Sequence, residues 1–342
     1  MTIKFNNVYI KSVSAVAGKD EKEGTFGKLY DKTYNDYYAG EKTFEQAEIK
    51  MIEDASMIAL KKANYKMDDI NFIIGADLLN QITANAYSSV KFKRPFLGVY
   101  NACASLCEEF IIASSILQNK DVNNALLNIS SHNMTAERQY RNPVEYGCPK
   151  PLRSTFTVTG AASCVLTKEK TDIKVVSATI GTPTDMGITD PYDMGSVMAP
   201  SAAEVLFNHL KNTNTKPDDY DLILTGDLGV YGKQILIEYF KSAYALDVEG
   251  NLEDSASIIY DREKQTKVNA GGSGPCCLAL VSYTDILNKM KKGKLKKVLL
   301  IATGALMSPT MNNQKLSIPS VSHAVCLEAI KWYFYIRFYS AE

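Results

Sequence analysis

Apolar residues return every third or fourth position through "FEQAEIKMIEDASMIALKKA", which reads as a helix with one buried face. The chain then passes through a polar Asp-Asp turn and switches, in "KMDDINFIIGADL", to a short apolar run of the kind that forms a buried strand. The same succession comes back later: a helical "SAAEVLFNHLKN", then "KPDDYDLILTGDL". The two strand segments align without a gap at a shift of 150 residues. Lys66/Lys216, Asp68/Asp218, Asp69/Asp219, Ile73/Ile223, Asp77/Asp227 and Leu78/Leu228 are identical across it. So many matches in one window, in the same order of elements, outweigh chance similarity between two α/β units.

The pattern continues past these segments. "ASSILQNKDVNNALLNISSHN" and "VSYTDILNKMKKGKLKKVLLIATGALM" both read as helix, polar or basic turn, then strand, at shifts of 170 and 173 residues. The first copy is preceded by a strand-like "FLGVY" and the small-residue turn "NACAS", which sets Cys103 between a strand and a helix. By the repeat, Cys103 falls opposite Ser273 to Cys276 in "AGGSGPCC". Strands alternating with helices predict parallel sheets covered by helices. The expected division is a first half over 1–170, a second over 171–328, and a short aromatic and basic tail over 329–342.

Composition narrows the class. With 342 residues, 46% hydrophobic and 22% charged, the chain is globular and too long for one ordinary core. Its formal net charge of zero gives no electrostatic reason to expect nucleic acid as a partner. The basic run "KMKKGKLKK" reads as a solvated helix end. Seven cysteines show no paired zinc spacing, and no metal site is expected. The start, "MTIKFNNVYIKS", has no secretory pattern, which points to a reducing, cytoplasmic compartment. The aromatic "WYFYIRFY" near the end is too short to span a bilayer and is interrupted by Arg337, which leaves a soluble or peripheral protein.

Candidate chemistry begins with Cys103, because a helix amino terminus favours a thiolate. Cys107, one turn on, reads as core, as do Cys276 and Cys277. Of three histidines, His209 reads as an ordinary helix residue and His323 as part of a last strand, while His132 follows "ALLNIS" and is placed to line a cavity or an interface. Arg138, Arg141, Lys150 and Arg153 form a cationic cluster, open to two readings: carboxylate binding, or surface pairing with Glu137 and Glu145. Tyr100, Tyr140 and Tyr146 offer rings for stacking. Asp190 and Asp193 read as turn and cap residues, and the glycines of "GADLLN" and "AGGSG" as tight-turn residues without a nucleotide fingerprint.

At "NACAS", followed by a long helix and "ALLNISSHN", the chain resembles the thiolase and ketoacyl-synthase superfamily. The blocks "EGTFGKLYDKTYND", "GADLLNQITAN", "SSHNMTAERQYRNPVEYG", "TFTVTGA", "DPYDMGSVMAPSAAE", "AGGSG" and "ATGALMSPTM" together resemble the stage V sporulation AD family of spore-forming bacteria. The superfamily resemblance implies a five-layered α-β-α-β-α sandwich built from two duplicated halves, and a homodimer. The family resemblance implies a role in spore formation. It also implies binding of dipicolinic acid (pyridine-2,6-dicarboxylate), alone or as its calcium complex, with no cofactor of the protein's own. The partners implied are other stage V sporulation A membrane proteins, with the chain peripheral to the inner membrane of the forespore.

In the initiating ketoacyl synthases a His and an Asn complete the catalytic set. This sequence has Asp227 near the place of the first, and Ser273 or a neighbour such as Gly272 at the second. The resemblance therefore implies a binder that keeps the oxyanion-type backbone donors and lacks the proton-handling side chains. The ligand-binding residues expected are Cys103, His132, Arg138, Tyr140, Arg141, Asp227, Gly272 and Ser273. Two alternatives stay open on sequence: an acyltransferase or condensing enzyme using Cys103 as nucleophile, and a docking scaffold with no ligand.

Overall fold

The computed structural model describes residues 1–141 and 149–330. Glu145, Tyr146 and the segment 331–342 lie outside it, and with them part of the cationic cluster's neighbourhood and nearly all of the expected tail.

Ten strands form one path. The first half contributes β1 (Tyr9–Ala17), β2 (Phe72–Ala76), β3 (Phe96–Gly98), β4 (Asn124–Ser131) and β5 (Gly160–Thr167). The second contributes β6 (Ile173–Thr179), β7 (Leu222–Thr225), β8 (Leu252–Asp254), β9 (Lys297–Ala305) and β10 (Ser320–Ala329). The spatial order is β3-β2-β4-β5-β1-β6-β10-β9-β7-β8, so each half has the same internal order and the halves meet through their first strands. That seam is narrow: Tyr9 pairs with Lys174 and Ile10 with Ile173.

The sheets are mixed, which corrects the parallel sheets expected from the alternation of strands and helices. Within this path of ten described strands only β3-β2-β4 and β9-β7-β8 run parallel, while β5 and β10 return antiparallel beside β4 and β9. The apolar pattern does not distinguish the two directions when both faces of a strand are buried. In β4, Ala125, Leu127 and Ile129 belong to the central core and Leu126 to an outer one; in β9, Val298, Leu300 and Ala302 face inward, Leu299 and Ile301 outward.

Seven helices matter to the site: α1 (Phe44–Ala63), α2 (Thr83–Phe92), α3 (Ser105–Ile116), α4 (Asn133–Tyr140), α5 (Met194–Thr213), α6 (Gly229–Tyr244) and α7 (Pro275–Val281). Helix α3 packs against strands of both halves, and α7 packs beside it, so the pair forms a middle layer. Helix α1 covers the outer face of the first sheet, burying Ala47, Met51, Ala55, Ala59 and Ala63 at four-residue spacing. Helix α5 covers the second sheet together with α6. The result is the α-β-α-β-α sandwich, with its largest core around the middle layer.

The duplication extends to hydrogen bonds. Helices α1 and α5 both end on a left-handed asparagine, Asn64 (φ 57°) and Asn214 (φ 55°). In the turns that follow, Lys66 N donates to Asp69 Oδ2 and Lys216 N to Asp219 Oδ2, each at 2.7 Å. Among the described residues no helix is long and apolar enough to cross a membrane.

Candidate functional site

Cys103 sits on a tightly knitted turn ahead of α3. Asn101 N donates to Ser105 Oγ at 2.9 Å, and that hydroxyl donates to Ala102 O at 2.8 Å. Ala102 is held at φ 49°, a conformation unfavourable for a residue with a side chain, and the bend turns Cys103 toward the second half. Gly304 of β9 lets this turn approach, since a Cβ there would lie 2.6 Å from Asn101 O.

Cys103 lines a pocket of about 60 Å³ that opens to solvent. Its walls come from both halves: Leu78, Tyr100, Ala136, Glu137, Tyr140, Arg141 and Thr157 from the first; Met194, Met198, Asp227, Ser273, Gly274, Ala305 and Met307 from the second. Gly274 holds φ 99°, and a Cβ there would press on Ser131 Oγ at 2.9 Å, so this position requires glycine.

The groups nearest the sulfur set its chemistry. Asp227 is buried, with Oδ1 accepting from Thr303 Oγ1 at 2.5 Å and Oδ2 accepting from Gly274 N at 3.4 Å. The Cys103 thiol lies on the same pocket wall as this carboxylate and interacts with it. Burial, then the Asp227 charge, pushes the thiol well above its ordinary pKa, although the Gly274 N–H and Arg141 oppose the shift. Burial lifts the Asp227 carboxyl to about 6. Burial and a neighbouring negative charge both disfavour a thiolate, whereas an activated cysteine sits beside a group that stabilises its anion.

Among the described residues no histidine lines the pocket. His323 Nδ1 accepts from Gly181 N at 3.1 Å, and Nε2 lies 2.8 Å from Asn101 Nδ2. His132 Nδ1 accepts from Met134 N at 3.2 Å, capping α4, while Nε2 lies 2.8 Å from Tyr37 O and the ring stacks on Phe44. His209 Nδ1 meets Thr179 Oγ1 at 2.7 Å. Burial pushes all three down to about 4, so they are neutral structural residues.

The cationic cluster divides. Arg141 reaches the pocket wall with its side chain only 8% exposed; Nη1 donates to Glu137 Oε1 at 3.0 Å, while the buried Nε has no partner among the described residues. Lys150 Nζ lies 2.8 Å from the other oxygen of Glu137. Surface pairing with Glu137, one of the two sequence readings, is thus corrected: the pairing exists, but Glu137 is buried on the inner face of α4. Arg138 instead pairs with Glu45 on the outer surface, and Arg153 with Asp190. Asp190 Oδ1 also accepts from Tyr192 N at 2.9 Å, and Asp193 caps α5 through Ser196 N at 3.4 Å.

Of the eight expected ligand-binding residues, the structure gathers Cys103, Tyr140, Arg141, Asp227 and Ser273 around one pocket. Gly272 is the residue before Ser273 in a short strand paired with Phe156–Thr157 and does not line it. His132 and Arg138 lie elsewhere. Sequence reasoning passed over Glu137 as a pocket residue, although its four-residue spacing from Arg141 was the available signal. It also missed the methionines of α5. Tyr100 was read as a stacking ring, but not as the donor to Tyr140 Oη, which passes its own proton to Leu78 O.

Similar folds are found among condensing enzymes. The 3-oxoacyl-[acyl-carrier-protein] synthase III of Aquifex aeolicus VF5 matches with a TM-score of 0.56 at 14% identity, over 94% of this chain and 99% of that one. OleA of Xanthomonas campestris, in its cerulenin-bound form, matches at 0.58 and 15%, over 94% and 98%. The tetronic acid condensing enzyme AbyA1 gives 0.58 and 14%, over 94% and 100%. The molecule is therefore a thiolase-like α/β protein with its cysteine pocket at the junction of two duplicated halves. Residues 1–328 match the family model of stage V sporulation protein AD, and the chain is 44% identical over 322 residues to that protein of Bacillus subtilis (strain 168), covering 94% of each. The chain belongs to the stage V sporulation protein AD family, which places its role in sporulation.

Proposed function

We propose that this chain binds dipicolinate, free or as its calcium complex, in the Cys103 pocket, and assists its uptake into the developing spore and its release at germination. The observation that carries the reading is Arg141: a guanidinium on the pocket wall, only 8% exposed, whose acidic neighbour Glu137 is already shared with Lys150. A carboxylate answers such a donor. The rings of Tyr100 and Tyr140 border the same space and suit the face of a pyridine. Cys103 enters as a neutral polar contact.

In this reading the chain works at the inner membrane of the forespore as a peripheral partner of membrane-embedded stage V sporulation A proteins. It also acts as a homodimer. β3 ends the path of strands with Leu97 exposed on it, and α2, which packs on β3, exposes Tyr87 and Val90, apolar surface that suits pairing with a second copy.

Titration calorimetry of the full chain with dipicolinate tests the central claim. Saturable heat is expected, with Arg141→Ala weakening binding at least about tenfold, the scale of one lost charged hydrogen bond, and Cys103→Ala folding normally. An absence of heat at millimolar ligand rejects it.

A further inference from the structure

A pocket for a dianion would not be expected to contain a carboxylate, yet Asp227 stands in this one. It is buried and faces groups from every surrounding element. The Cys103 thiol approaches from the turn before α3, Thr303 Oγ1 from β9, and the Gly274 N–H from the turn before α7, which also carries Cys277. Arg141 lies toward it from the end of α4, with Glu137 and Lys150 behind it, and Asp254 at the end of β8 adds a second buried carboxyl.

The charges of this group decide what can enter. With Asp254 protonated and Asp227 ionised, Arg141 and Lys150 are balanced by Glu137 and Asp227. With Asp227 protonated, one positive charge is left over. A dianion entering the balanced pocket loses its water with little Coulombic return, whereas the unbalanced pocket attracts it. Protonation also changes Asp227 from an acceptor into a donor, able to give its O–H to a ligand oxygen.

We propose that Asp227 is the charge-selecting residue of the pocket, so that a dicarboxylate binds together with one proton taken up by this side chain. The inference rests on the dicarboxylate reading above and adds its regulation. The step balances simply: the carboxylate, a proton from solvent and the dianion form the protonated side chain with the dianion bound. Burial already holds the free carboxyl near neutrality, at about 6, and Asp254 at about 7 adds to the local reluctance to carry negative charge. The bound dianion raises the Asp227 pKa further. Between the free and bound values affinity falls as pH rises, by up to about tenfold per pH unit for one proton.

The experiment is calorimetry of the full chain with dipicolinate from pH 6 to 8, in phosphate and in Tris, whose heats of ionisation differ. The expected result is uptake of close to one proton above pH 7, with affinity weakening across the range. Asp227→Asn should bind with the same affinity throughout and take up no proton. Saturable binding by the native chain without proton uptake and without pH dependence overturns the proposal and leaves the dipicolinate reading standing. No binding at any pH overturns both.

Discussion

Asp77 and Asp227 hold the same place in two copies of one unit, and their carboxylates serve different ends. Asp77 Oδ1 accepts from Leu79 N at 2.9 Å and Oδ2 from Asn85 N at 2.8 Å, so it ties down the loop into α2. In the second half that duty has passed to Asp254, which accepts from Leu228 N at 3.0 Å and Gly229 N at 2.9 Å at the start of α6. Asp227, relieved of it, faces the Cys103 thiol. The two copies share the carboxylate and differ in what it meets.

The Cys103–Asp227 arrangement predicts a sluggish thiol. Incubation with acyl-CoA should leave the chain unmodified by intact mass spectrometry, and a stable adduct mapped to Cys103 would revive the condensing-enzyme alternative. Asp227→Asn removes the opposing charge and should speed alkylation of Cys103 by iodoacetamide several-fold at pH 8, read by peptide mapping.

Gly274→Ala places a methyl group against Ser131 Oγ at a backbone angle that disfavours side chains. The expected cost is about 1–3 kcal/mol, seen as a lower urea midpoint. Dipicolinate binding should weaken as well, because Gly274 carries the N–H that meets Asp227.

Asn64 and Asn214 close equivalent helices in the same left-handed conformation. Alanine at either should destabilise by about 1 kcal/mol and glycine by little or nothing. Because the two sites are distant, the double alanine variant should show the sum. Unequal effects would mean that the two halves no longer share the energetics of this turn.

Glu48 is buried on the inner face of α1, accepting from Ser130 Oγ at 2.8 Å, and burial followed by the Asp77 charge lifts its carboxyl to about 8. A carboxyl raised on folding stabilises fully below its unfolded value, near 4.5, and that contribution is lost as pH rises through the folded value. Glu48→Gln should therefore gain stability relative to the native chain between pH 5.5 and 8, measured by urea midpoints. The three buried histidines act oppositely, their contribution being lost as pH falls from about 6.5 toward 4.

The duplication was legible because it is written in local features: the Lys-x-Asp-Asp turns, the helix ahead of each, and the buried strand after it. The cysteine turn was legible for the same reason. Strand direction was not, since β4, β5, β9 and β10 are buried on both faces and their patterns carry no sign of orientation. Arg138 and Arg141 lie three residues apart and look alike in sequence. The rotation of α4 sends one to the pocket wall and the other to Glu45. His132 looked available because it follows a strand, but the ring is occupied by Met134 N and Tyr37 O.

The pocket's walls are drawn from segments on either side of the narrow seam between Tyr9–Ile10 and Ile173–Lys174. Neither half alone supplies its whole lining. Whatever occupies the space acts as a rivet: it grips both copies at once, and its binding energy raises the resistance of the whole molecule to unfolding rather than that of one half.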